Sequence, residues 1–225
     1  MRYLHSFIIA ALLVIVSNSI AYAGAITGTT GAPASRYDVT VTKVEVCQDA
    51  ACTNSFTVGQ TTRTFDIASA AVGADVGSYI SLKGIPMFKT WTHVRATLST
   101  DFTITANDGT CATNGSGAAG GNRGAWGAGA NLAAGAETAS VLQLPNEAFV
   151  QGALGAGFNY ATYGIAQSDD ATSFTMTVAL STPYTCIGKL PRIEIKFNTS
   201  EAFGHAACTQ LFPQPPTITI TASDP

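Results

Sequence analysis

Alternation of apolar and polar residues constrains this chain more than any other feature of its sequence. From Phe88 the even positions read Phe88, Thr90, Thr92, Val94, Ala96 and Leu98, and the odd positions Lys89, Trp91, His93, Arg95, Thr97 and Ser99. The even phase resumes at Phe102 and Ile104. Successive side chains of a strand point to opposite faces, so a period of two gives one dry face and one wet face. Residues 77–106 therefore predict a long strand, a corner at residues 99–101 and a continuation free to change sheets.

The same grammar recurs. Val39 and Val41 are followed by Val44 and Val46, so the phase slips at Thr42 and Lys43, which predicts a β-bulge. Phe65 and Ile67 mark a short strand within residues 62–68, and residues 141–144 another. Phe174, Met176, Val178 and Leu180 alternate cleanly, and Arg192, Glu194 and Lys196 alternate with Ile193, Ile195 and Phe197. Pro145, Asn146 and Glu147 predict one helical turn through Val150, and residues 201–211 read as a link to a stiff kink at Pro213, Pro215 and Pro216. About nine strands with turns between them and no βαβ order predict an all-β fold: an antiparallel two-sheet sandwich of Greek-key or jelly-roll kind, with a closed barrel as the alternative.

Residues 1–23 read as a secretory signal peptide, with Arg2, an apolar stretch and Ala21-Tyr22-Ala23 before the cleavage point. The apolar stretch is shorter than the roughly 20 residues a spanning helix needs, so no membrane span is expected after cleavage. Residues 24–36, small and glycine-rich, predict a flexible tail, and residues 37–225 a single domain. Within it, residues 107–137 form a low-complexity glycine- and alanine-rich loop of a length that is either functional or disordered. Charged residues make up 11% of the chain, against about 25% in an average soluble domain. That scarcity excludes a nucleic-acid partner, which needs clustered Lys and Arg.

An exported chain can form disulfides. Cys47 and Cys52 are expected to close a local loop, and Cys186 to pair with Cys208, leaving Cys111 as a free or intermolecular thiol. Gly115, Gly117 and Gly120 match the spacing of a nucleotide-binding loop but lack the strand and helix that make it work, so no cofactor is expected. Asp49, Asp108, Asp169 and Asp170 show no calcium-loop spacing, and His93 and His205 lack a third metal ligand or a serine elbow. Two Asn-x-Ser/Thr triplets, at Asn114 and Asn198, read as chance matches.

Trp91, His93 and Arg95 form a row on the wet phase, suited to stacking on a sugar or a neighbouring subunit unless Trp91 packs down over the strand end. Trp126, alone among glycines, either pins its loop or tips it as a contact residue. Residues Thr217, Ile218, Thr219, Ile220 and Thr221 form a last strand behind a proline hinge, either packed in its own domain or swapped into a neighbour's sheet. The expected function is a secreted, extracellular or periplasmic, non-enzymatic structural protein. It would be a surface filament or matrix subunit that assembles with itself or other surface proteins through strand edges. A monomeric glycan- or ligand-binding module is the alternative.

Overall fold

The structure, a computed structural model, describes residues 30–69, 82–117, 126–188, 192–206 and 208–223. The signal-peptide segment 1–23 lies outside the described residues. The fold is all-β with one α-helix, and its sheets do not close into a barrel. Its centre is β2 (Ala34–Cys47), which follows β1 (Thr30–Ala32). The span read as a flexible tail is thus strand from Thr30 onward: β1 pairs antiparallel with residues 203–205. Small residues permit that close pairing, and Ala32 is buried in the core.

β2 is paired along both edges. On one side lie β3 (Ser55–Gly59) and β4 (Arg63–Asp66); on the other lie β5 (Thr90–Ser99) and β6 (Asp101–Ala106). The bulge sits where the phase slips: the register against β5 shifts between Val41 and Lys43, and the Thr42 hydroxyl donates to the Thr97 carbonyl at 3.2 Å. Val39, Val44 and Val46 consequently all face the core. The hairpin strand β3, with buried Val58, escaped the sequence reading because it is only five residues long.

The corner between β5 and β6 is pinned by Thr100, fully buried. Its N–H donates to the Thr172 carbonyl at 3.1 Å, its carbonyl accepts from the Leu144 N–H at 2.7 Å, and its hydroxyl donates to the Ala171 carbonyl at 3.3 Å. Both halves stay in one sheet along β2, not in two, and they take different outer neighbours. β6 pairs with β9 (Ser140–Gln143), whereas β5 pairs with β11 (Ser173–Thr185). Beyond β11 come β15 (Thr217–Ser223), its one parallel neighbour, and then β12 (Arg192–Asn198) at the sheet's end. The sheet is therefore mixed rather than purely antiparallel.

Short strands build the second layer. β13 (Phe203–Ala206) and β14 (Gln210–Pro213) form a hairpin beside β1, where the sequence reading placed only a link and a kink. Pro213 is tolerated because it ends its strand. The low-complexity loop supplies the rest of this layer. Gly127 exchanges N–H···O bonds with Leu211 at 3.0 and 2.9 Å, and β8 (Gly129–Ala130) pairs with β7 (Ala112–Thr113). A Cβ on Gly127 would lie 2.5 Å from the Leu142 side chain, so only glycine lets this layer close onto β9. The two layers share one core. Its aromatic spine runs Tyr37–Phe102–Phe174, with ring centroids 5.5 and 6.1 Å apart.

The remaining elements are the helix α1 (Glu147–Leu154), a 3-10 turn Tyr160–Tyr163 and the two-residue β10 (Ile165–Ala166), which pairs with β11. The helix runs one turn further than the sequence predicts. Its Glu147 carboxylate reaches forward to the Tyr160 N–H at 2.8 Å, tying the helix to the turn. No described helix is long and apolar enough to cross a membrane.

Gly204 of β13 tests the second layer. A Cβ there would lie 2.3 Å from the Gln214 side chain and 2.4 Å from the Phe212 ring. Gly204→Ala should cost about 1–3 kcal/mol, typical of overpacking a core. A chemical-denaturation curve measures it; an unchanged midpoint would mean the layer is looser than described.

Candidate functional site

The row Trp91, His93 and Arg95 does not exist as a contact surface. Trp91 is 3% exposed and packs in the core, while Val94 is buried too, so the phase changes between them. The ladder is irregular at the same place: the β11 register against β5 jumps from Ala179 opposite His93 to Tyr184 opposite Trp91. His93 Nδ1 lies 2.8 Å from the Thr92 hydroxyl, which also reaches the Gln48 carbonyl at 2.9 Å. Arg95 is directed across the sheet onto Glu45, its register partner.

Glu45 was not singled out from sequence. It is a buried carboxylate at the crossing of three strands. Oε2 accepts from Arg95 Nε at 3.0 Å and faces Arg95 Nη2 at 3.0 Å. Oε1 meets Lys43 Nζ at 2.9 Å and accepts from the Ser55 hydroxyl at 3.0 Å. Burial pushes this carboxyl up, but Lys43, Ser55 and Arg95 together outweigh it and hold Glu45 below its ordinary value. The only sequence signal was a lone acid in an apolar stretch, V-E-V-C.

Cys47 and Cys52 are bonded, with Asp49 fastening their loop through the Thr53 N–H and hydroxyl. The second pair corrects the sequence expectation. Cys208 bonds to Cys111, not to Cys186. Cys208 sits in the β13–β14 turn of the second layer, where its carbonyl accepts from the Gly129 N–H, and Cys111 leads into β7 beside it. Cys186 lies after β11 at the end of the large sheet, buried, with its sulfur 3.4 Å from that of Met87. Sequence spacing cannot rank pairs that only the layer arrangement brings together.

Beside the Cys111–Cys208 bridge, His205 Nε2 lies 2.6 Å from Asp108 Oδ2. Asp108 also accepts from the Thr110 and Cys111 N–H groups at 2.8 and 2.6 Å. Burial raises this carboxyl, but the Cys111 amide, His205 and the Thr110 amide outweigh it and leave Asp108 below its usual range. His205 Nδ1 is buried and meets no partner among the described residues. Among the described residues no group of three His, Cys, Asp or Glu side chains converges as a metal site.

Trp126 pins its loop. It packs between Phe149 and Phe212 with ring centroids 4.9 and 5.1 Å apart. Together with Phe158, Tyr163 and Pro215 it lines a small apolar cleft. The proline hinge is seated here rather than free. Gln214 is fully buried, its N–H donates to the Ala202 carbonyl at 2.9 Å, and its carbonyl accepts from the Tyr37 hydroxyl at 3.3 Å. The strand Thr217–Ser223, considered for exchange with a neighbour, lies in its own domain between β11 and β12.

No protein-family model, no curated protein and no solved structure matches this chain.

Two outward features among the described residues bear on function. One is an apolar tip: Phe88, read as the start of the dry face, is 79% exposed, beside Met87 at 40%, with Ile187 at 68%. The Phe88 N–H donates to the Cys186 carbonyl at 2.9 Å, and its φ of 58° is a strained value for a bulky residue. The other is β12. It has β15 on one side, and no described strand on the other.

Asp108 and Glu45 set an acid limit. Both carboxyls lie lower folded than unfolded, so their stabilisation is complete above the unfolded values and is lost as pH falls through the folded ones. Stability should therefore drop below about pH 4, and Asp108→Asn should lower stability at pH 7 while flattening that acid limb. Denaturation midpoints measured across pH check this. The bridges should rank by loop length: loss of Cys111–Cys208, spanning 97 residues, costs about 4–5 kcal/mol, against about 2 for Cys47–Cys52, spanning 5. Unfolding of Cys208→Ser and Cys52→Ser variants measures the difference.

Proposed function

We propose that the chain is a secreted, non-enzymatic structural subunit that assembles at a cell surface or in an extracellular filament or matrix through the edges of its sheets. The observation that carries this reading is β12. Seven residues long, it ends the large sheet with half-buried Ile193, Ile195 and Phe197 on one face. An edge strand presents unpaired N–H and C=O groups to any strand that can match them. Two disulfides and the scarcity of charge agree with a life outside a reducing compartment. Both tryptophans, which a sugar platform would need outward, serve internal packing instead.

Sedimentation and negative-stain imaging of the purified exported chain test the reading. Concentration-dependent particles larger than one subunit are expected. A monodisperse monomer at high concentration would overturn it. The second reading, a monomeric binding module, is favoured by the exposed and strained Phe88. Under that reading Phe88→Ala abolishes ligand capture from a glycan array while leaving the fold intact.

A further inference from the structure

We infer that the occupant of the open β12 edge is β12 of a second copy, running antiparallel about a twofold axis at Ile195. This rests on the assembly reading above and adds the partner and the register.

The argument starts from β12's existing ladder. Against β15, Glu194 faces Thr221, Ile195 faces Ile220, Lys196 faces Thr219 and Phe197 faces Ile218. Polar meets polar and apolar meets apolar, as the pleat demands. The strand's sequence can repeat that match with itself. With Ile195 opposite Ile195, each Glu194 falls opposite the second copy's Lys196, and each Ile193 opposite Phe197. Glu194 and Lys196 already stand on one face, 3.5 Å apart and both close to half exposed. The pairing would thus join two such pairs into a square of alternating charge.

Other registers fail on the same face. A shift of two residues one way sets Glu194 opposite Glu194 and Arg192 opposite Lys196. The same shift the other way sets Lys196 opposite Lys196. A shift of one residue sets charged side chains opposite Ile195 or Phe197 and turns one strand's faces over. Like charges directly opposite destabilise a ladder and unlike ones favour it, so the charge pattern selects one register. An isologous contact of this kind closes as a dimer and merges two large sheets into one.

Charge exchange tests the register in the full exported chain. Glu194→Lys and Lys196→Glu, each alone, set like charges opposite at two places and should weaken dimerisation about tenfold or more by sedimentation. The double variant E194K/K196E restores unlike pairs and should dimerise within about threefold of the parent. Circular dichroism melts show that each variant folds. A second readout is Ile195→Cys, which should give an oxidised dimer, because directly opposed Cα atoms about 4.5–5.5 Å apart suit a disulfide. Singles that dimerise like the parent, or a double that stays monomeric, overturn the β12 register. Association that ignores all three charge variants leaves assembly through another surface standing. A parent chain that stays monomeric at every concentration overturns both inferences.

Discussion

Burying a fourteen-residue strand requires hydrogen-bond partners for its N–H and C=O groups along two edges, and β2 meets that requirement with four different strands. No single partner is long enough to cover either edge. The chain therefore breaks its partners in two and bends them, at residues 60–62 on one side and at Thr100 on the other. The bulge at Thr42 and the corner at Thr100 answer one need: to wrap a twisted sheet around a core while keeping apolar side chains inward. Once β5 and β6 part company at Thr100, two different strands attach to their outer edges and the second layer has a place to sit.

A chain with so little charge cannot spend ionic groups on solvation alone, and this one places several as internal fasteners. Glu45 joins three strands, Asp108 holds a turn, and Asp49 braces a disulfide loop. Glu45 and Asp108 each replace lost hydration with several donors, which is why burial does not leave them protonated at neutral pH. The consequence is a core whose polar members are specific to one arrangement of strands.

The long strands were legible because their side chains repeat a two-residue period over enough length to exceed chance. β11, β12 and the slipped phase of β2 could be read directly. β3, β7, β8, β13 and β14 could not, since two to five residues hold too few alternations, and glycine and proline obscured them. The candidate site was less legible still. Trp91 is buried where the β5–β11 ladder loses its register, an irregularity that alternation along β5 alone does not reveal. Cys208 found Cys111 because the low-complexity segment, read as a loop, supplies part of a layer. The two faces of β12 were visible in its alternating charges, but its place at the end of the sheet was not.

The Cys111–Cys208 bridge and the β1–β13 pairing also bear on the order in which the chain can complete its contacts during synthesis. A chain that emerges N-terminus first can oxidise Cys47 with Cys52 as soon as their hairpin forms, which withdraws two thiols from the pool. Cys111 then waits while Cys186 passes by before its own partner arrives, and β1 waits for the same late segment. Burial of Cys186 beside Met87 removes it as a rival for Cys111. A pause in synthesis between Cys186 and Cys208 would leave Cys111 beside a thiol that is not its partner.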